Sequence, residues 1–175
     1  MGNLILRPAS GGDLKLQDDS GADKLTIHEY GRVVQQGVVG FYAYGGSGTT
    51  SVTQGSTVPF TSTKFNHDGA GGTCFNTSTY KFIPPVTGYY SFSVQVYLYS
   101  GNGNYAFDIY GGTSTTILRI AFVDGMSDTI LYASTIWKCT ADEEIVMKNI
   151  SGSTRNVYIS AAATHTAWSA YFLGA

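Results

Sequence analysis

Hydrophobic and polar residues alternate most regularly just past the middle of the chain. Tyr90, Phe92, Val94, Val96 and Leu98 fall on one side of a period-two pattern, with Ser91, Ser93, Gln95, Tyr97 and Tyr99 on the other. Such alternation predicts a half-buried antiparallel strand. Pro84-Pro85 and the Thr87-Gly88 turn set its beginning, because proline has no N–H to give to a ladder. From Val38 onward the same reading predicts strands over 38–44, 58–66, 79–84, 90–100, 104–110, 116–123, 129–138, 144–149, 156–163 and 167–173. Glycine-rich clusters part them, among them Gly45-Gly46-Ser47-Gly48, Asp68-Gly69-Ala70-Gly71-Gly72, Gly101-Asn102-Gly103-Asn104, Asp124-Gly125 and Ser151-Gly152-Ser153. No stretch shows the 3.6-residue period of a long amphipathic helix, so the expected architecture is an all-β double sheet. The last segment, Ala167 to Ala175, is apolar almost to its final residue. An edge strand of that kind would fray in water, which places it inside a sheet.

Residues 1–37 read differently. Short apolar pieces, Leu4-Ile5-Leu6, Leu14-Lys15-Leu16 and Leu25-Thr26-Ile27, are separated by Gly/Asp turns, and charged residues gather between Asp13 and Arg32. Strands this small cannot bury a core alone. The segment is therefore expected to be an arm for attachment and self-association, joined to a head over 38–175.

Composition narrows the function. Of 175 residues only 13% are charged, with 13 tyrosines and 9 phenylalanines, and the formal charge is −2. Lys and Arg are scattered, whereas nucleic acid would call for a basic stripe, so none is expected as a partner. No apolar run reaches the length of a membrane span, and no membrane insertion is expected. Cys74 and Cys139 are too few for a disulfide framework and are expected to be free thiols.

Phe65-Asn66, the run Phe82-x-x-Pro85-x-x-Gly88-x-Tyr90-x-Phe92, Glu143-Glu144-Ile145-Val146 and the ending Trp168-Ser169-Ala170-Tyr171-Phe172-Leu173 resemble successive segments of the C1q/TNF-like globular domain. Val39-Gly40-Phe41-Tyr42-Ala43 is similar to that family's first apolar strand. The resemblance implies a ten-strand jelly-roll sandwich that assembles as a homotrimer, with aromatic and aliphatic residues about the threefold axis, where related domains can hold calcium. Ala170 stands where the family has glycine, and Asp142-Glu143 replaces its Gly-Asp. A collagen-like stalk and a signal peptide are absent from the sequence, which turns the expectation from a secreted or cell-surface C1q-like ligand-binding module, the alternative, to a viral or bacterial relative.

The chemistry fits binding better than catalysis. His28, His67 and His165 lie apart in sequence, and no serine or cysteine stands on a nucleophile motif. Adjacent carboxylates such as Asp18-Asp19 and Glu143-Glu144 point to opposite faces of an extended chain. No catalytic residue, no metal-ligand set and no cofactor are expected, calcium excepted as the family allows. Tyrosine suits interfaces because it buries a large ring and keeps a polar tip. Tyr89, Tyr97, Tyr99, Tyr110 and Tyr171 are the candidates for the trimer interface. Loops carry recognition where the scaffold does not need them, and Tyr44, Asn66, His67, Asp68, Asp124 and Asp128 are the candidates for receptor binding. The expected protein is a non-enzymatic virion component, a capsid decoration protein or fibre tip. Its arm would dock on other virion proteins and its head on a host surface glycan or protein.

Overall fold

The computed structural model describes residues 12–17, 19–21, 23–27, 33–35, 38–46, 48–99, 103–112, 115–122, 129–159 and 165–175. The chain separates into two compact units, Met1–Val38 and Val39–Ala175. All regular structure among the described residues is β, and none of it is a helix that could cross a membrane.

The first unit contains a three-stranded meander of β1 (Leu14–Gln17), β2 (Asp23–Ile27) and β3 (Val33–Gln35). Leu14 and Leu16 lie opposite Ile27 and Leu25, so the four aliphatic side chains share one face. On the other face Thr26, opposite Lys15 and Val34, is buried. The apolar pieces expected at Leu14–Leu16 and Leu25–Ile27 fall within β1 and β2. The piece expected at Leu4–Leu6 and the histidine His28 lie outside the described residues.

The second unit is a sandwich. Its larger sheet runs β5 (Thr49–Val52), β14 (Arg155–Tyr158), β9 (Gly88–Leu98), β15 (Ala167–Gly174), β4 (Val39–Tyr44) and β6 (Ser62–Asp68), with β12 (Thr129–Cys139) on the other side of β9. The facing sheet runs β11 (Thr115–Phe122), β10 (Tyr105–Gly111), β13 (Ile145–Asn149), β8 (Lys81–Phe82) and β7 (Phe75–Asn76). β9 organises the larger sheet. β12 pairs with it from Leu98 to Gly88, and β15 from Gln95 to Tyr89. The alternation read from sequence is the alternation of burial: Tyr90, Phe92, Val94, Val96 and Leu98 are all buried. β15 lies between β9 and β4, so the C-terminal strand is interior, as its apolarity requires.

Aromatic rings fill the space between the sheets. Phe41 stacks on Phe75 and meets Trp168 edge to face, each at 4.8 Å between ring centres, and Phe82 packs on Tyr90 and Phe92. Burying a ring of this size contributes about 1.5–3 kcal/mol. The indole N–H of Trp168 has no acceptor among the described residues.

Where strand limits differ from expectation, local chemistry gives the reason. The strand expected over 58–66 begins at Ser62. Pro59 breaks the ladder ahead of it, and Val58 and Phe60 are buried as irregular extended chain, with Val58 N donating to Met147 O at 2.9 Å. The strand expected over 79–84 shrinks to Lys81–Phe82, because Tyr80 takes a left-handed φ of 60° and Pro84 follows. β5 was not legible because Thr49-Thr50-Ser51-Val52 has a single aliphatic residue. β7 is only two residues long and is fixed by a side chain. Asn66 Oδ1 accepts from Cys74 N at 3.0 Å and Phe75 N at 2.8 Å, while Asn66 Nδ2 donates to Phe75 O at 2.7 Å. One amide thus stands in for a strand where the edges of the two sheets meet.

Candidate functional site

The outer faces of the two sheets differ in chemistry, and the difference follows from strand register. Opposed residues of an antiparallel pair share a face, so the outward residues of the larger sheet can be read in rows. Ile136, Ser91, Tyr171, Gly40 and His67 form one row across β12, β9, β15, β4 and β6. Ser134, Ser93, Ser169, Tyr42 and Phe65 form the next. Tyr132, Gln95, Ala167 and Tyr44 form a third. Tyr132 is 69% exposed, Ile136 61% and Leu173 55%, which is far more than large apolar side chains ordinarily show.

Neighbouring groups hold parts of this face in place. The ring of Phe65 packs on Tyr171 at 5.1 Å and on His67 at 6.4 Å. A bulge between Tyr42 and Ala43 leaves Lys64 unpaired, and its ammonium lies over the Tyr42 ring at 5.7 Å. Lys138 covers Tyr89 in the same way at 5.8 Å. Partial burial raises the Tyr42 hydroxyl above the usual tyrosine range, with smaller contributions from Tyr171 and Tyr132, and partial burial raises Tyr171 likewise. At the far end of β9 the rings of Tyr97 and Tyr158 close on His165 at 5.1 and 4.6 Å, and Tyr99 leans on Tyr158 at 5.9 Å.

On the outer face of the smaller sheet, charges are paired. Asp108 is fully buried beneath Arg119, which donates from Nε to Oδ1 at 2.8 Å and from a terminal nitrogen to Oδ2 at 2.7 Å. That fork, first by hydrogen bonding and then by charge, raises the Arg119 pKa further. Lys81 pairs with Glu144 at 2.6 Å, and Lys148 lies over the ring of Tyr110 at 5.6 Å. A face of this kind is suited to water.

Of the interface candidates, Tyr89, Tyr97 and Tyr171 lie on the aromatic face, Tyr99 follows the end of β9, and Tyr110 is on the opposite sheet beneath Lys148. Of the receptor-binding candidates, Tyr44 and His67 are on the aromatic face. The Asn66 amide is committed to the segment at Cys74-Phe75. Asp68 Oδ1 accepts from Ala70 N at 2.7 Å and Gly72 N at 2.8 Å, and these bonds lower its pKa. Asp124 and Asp128 lie outside the described residues. Sequence reasoning counted Tyr132 among the tyrosines beyond what the core needs, and missed Ile136 and Phe65 as site residues. The available signal was β12 itself, where Ile130, Tyr132 and Ile136 alternate with Leu131, Ala133 and Trp137, so that the strand is apolar on both faces. Among the described residues, no three of His, Cys, Asp and Glu converge in a way that could hold a metal. Both cysteines are buried and unpaired.

The sandwich is a jelly roll of the TNF and C1q kind. It superposes on Eiger TNF from S. frugiperda with a TM-score of 0.66 over 78% of this chain and 93% of that one, at 13% identity. Murine APRIL gives 0.60, 14% identity, and 78% and 99% coverage. The globular domain of zebrafish complement 1qA protein gives 0.58, 11% identity, and 78% and 98% coverage. No protein-family model and no curated protein matches the sequence.

Proposed function

We propose that the chain is a non-enzymatic binding module that works as a homotrimer, its heads packed about the aromatic outer face of the larger sheet. The observation that supports this most strongly is the contrast between the two outer faces. One has its charges paired in the manner of a solvated surface; the other exposes Tyr132, Ile136 and Tyr171, with Leu173 exposed on the same strand as Tyr171. Each such side chain stabilises an assembly by up to about 1.5–3 kcal/mol if fully covered, which exceeds what a lone monomer gains by exposing it. Threefold packing is the arrangement that the resemblance to C1q/TNF-like domains implies. The small three-stranded sheet of the first unit, with aliphatic residues on one face, serves in this reading as the arm that attaches the head to a larger particle. A projecting component of a virion surface that presents three loop sets to a host is the particular role proposed.

The test uses Tyr132→Asp with Ile136→Asp in the full chain. Native mass spectrometry should show trimers for the unsubstituted protein and single chains for the variant, with the β-sheet circular dichroism of the two alike. A variant that keeps the mass of the unsubstituted protein would remove this face from the interface.

A further inference from the structure

Where β6 at the edge of one sheet meets β7 and β8 of the other, the sandwich opens into a cleft of about 540 Å³, within the roughly 300–1,000 Å³ of small-molecule sites. It is formed within one chain and needs no second copy. Its polar lining includes Thr63, Asp68, Thr73, Asn76, Thr77 and Asp142. Ile83, Pro85 and Phe75 supply an apolar part.

Several of these groups are fixed and still have bonding capacity to spare. Asp68 uses Oδ1 for the backbone N–H groups of Ala70 and Gly72, and its Oδ2 lies over Gly72, where a side chain would collide with it. Asn76 uses Oδ1 for the N–H groups of Ser78 and Thr79, which leaves its NH₂ without an acceptor among the described residues. Asp142, exposed at the cleft, is held at a φ of 63°, a region that glycine adopts more easily.

We infer that this cleft binds a neutral saccharide. The carboxylates of Asp68 and Asp142 would accept from vicinal hydroxyls, Asn76 NH₂ and the threonine hydroxyls would bond the remaining oxygens, and Ile83 and Pro85 would meet the C–H face of the ring. Two carboxylates with no cation among the lining residues exclude phosphate, sulfate and acidic sugars. Among the described residues no three of His, Cys, Asp and Glu converge that could hold a metal ion, and calcium is kept as an outcome of the test.

The experiment is saturation-transfer NMR on the full chain with the methyl α-glycosides of glucose, galactose, mannose and fucose, and with N-acetylglucosamine, each at millimolar concentration. Asp142→Gly removes a carboxylate and relieves the left-handed strain, so its melting temperature should be no lower than that of the unsubstituted protein. The expected result is transfer to at least one of the sugars that falls at least fivefold in Asp142→Gly and in Thr77→Val, whatever the oligomeric state. Equal transfer in the variants, no transfer to any of the sugars, or cleft amides that shift with calcium chloride and not with sugar would each overturn the inference.

Discussion

Asn66 and Asn149 each tie the fold together through three side-chain bonds to backbone groups, and Asn66 does so where no strand is present. It replaces a missing strand with three backbone hydrogen bonds and joins the edges of the two sheets. Removing it leaves the N–H groups of Cys74 and Phe75 and the carbonyl of Phe75 without partners. Asn66→Ala should therefore cost about 1–3 kcal/mol. Urea denaturation of the variant checks the loss, and an unchanged midpoint would contradict the bonding described. The buried thiols make a second prediction. Burial pushes Cys74 up to about 11 and Cys139 up to about 12. Their folded values lie above the ordinary thiol value of about 8.5. The stability they contribute is complete below that value and is lost as pH rises through the folded ones. At pH 8.5 a thiol-reactive dye should label neither cysteine until urea unfolds the chain; prompt labelling of the native protein would contradict their burial.

Among the elements, β9 was legible and β7 was not, for a physical reason. The pattern of β9 is set by its own residues, five of which face the core at every second position. β7 exists because a distant asparagine satisfies its backbone, which no local pattern reports. β12 lies between these cases. Its existence was plain, but an apolar strand read by itself does not show which of its faces the core will cover. The aromatic face was legible only in part for the same reason, since the pairing of β12 and β15 with β9 is what brings Ile136 into the row of Tyr171 and sets Tyr132 on the same face. Close approach of strands is a further property that only the assembled sheet shows. A Cβ on Gly88 would come within 2.5 Å of both the Gly174 carbonyl and the Phe172 ring. Gly88→Ala should lower stability by about 1–3 kcal/mol through crowding at the start of β9, measured as the urea midpoint. An unchanged midpoint would mean that the C-terminus of β15 is free to move aside.

For the whole molecule, the asymmetry of the sandwich is the main fact. The jelly roll of the TNF and C1q kind was readable from Phe82-x-x-Pro85-x-x-Gly88-x-Tyr90-x-Phe92 and from the C-terminal segment, because Phe82, Tyr90, Phe92, Trp168 and Ala170 occupy its packed centre. Oligomeric state is decided on the outside, where one face is built for water and the other exposes large rings. The most direct test is the mass of the full-length protein in solution at micromolar concentration, measured by light scattering. A particle of three 18.7 kDa chains is the predicted result. A stable single chain at that concentration would contradict the account and leave the aromatic face for a different partner.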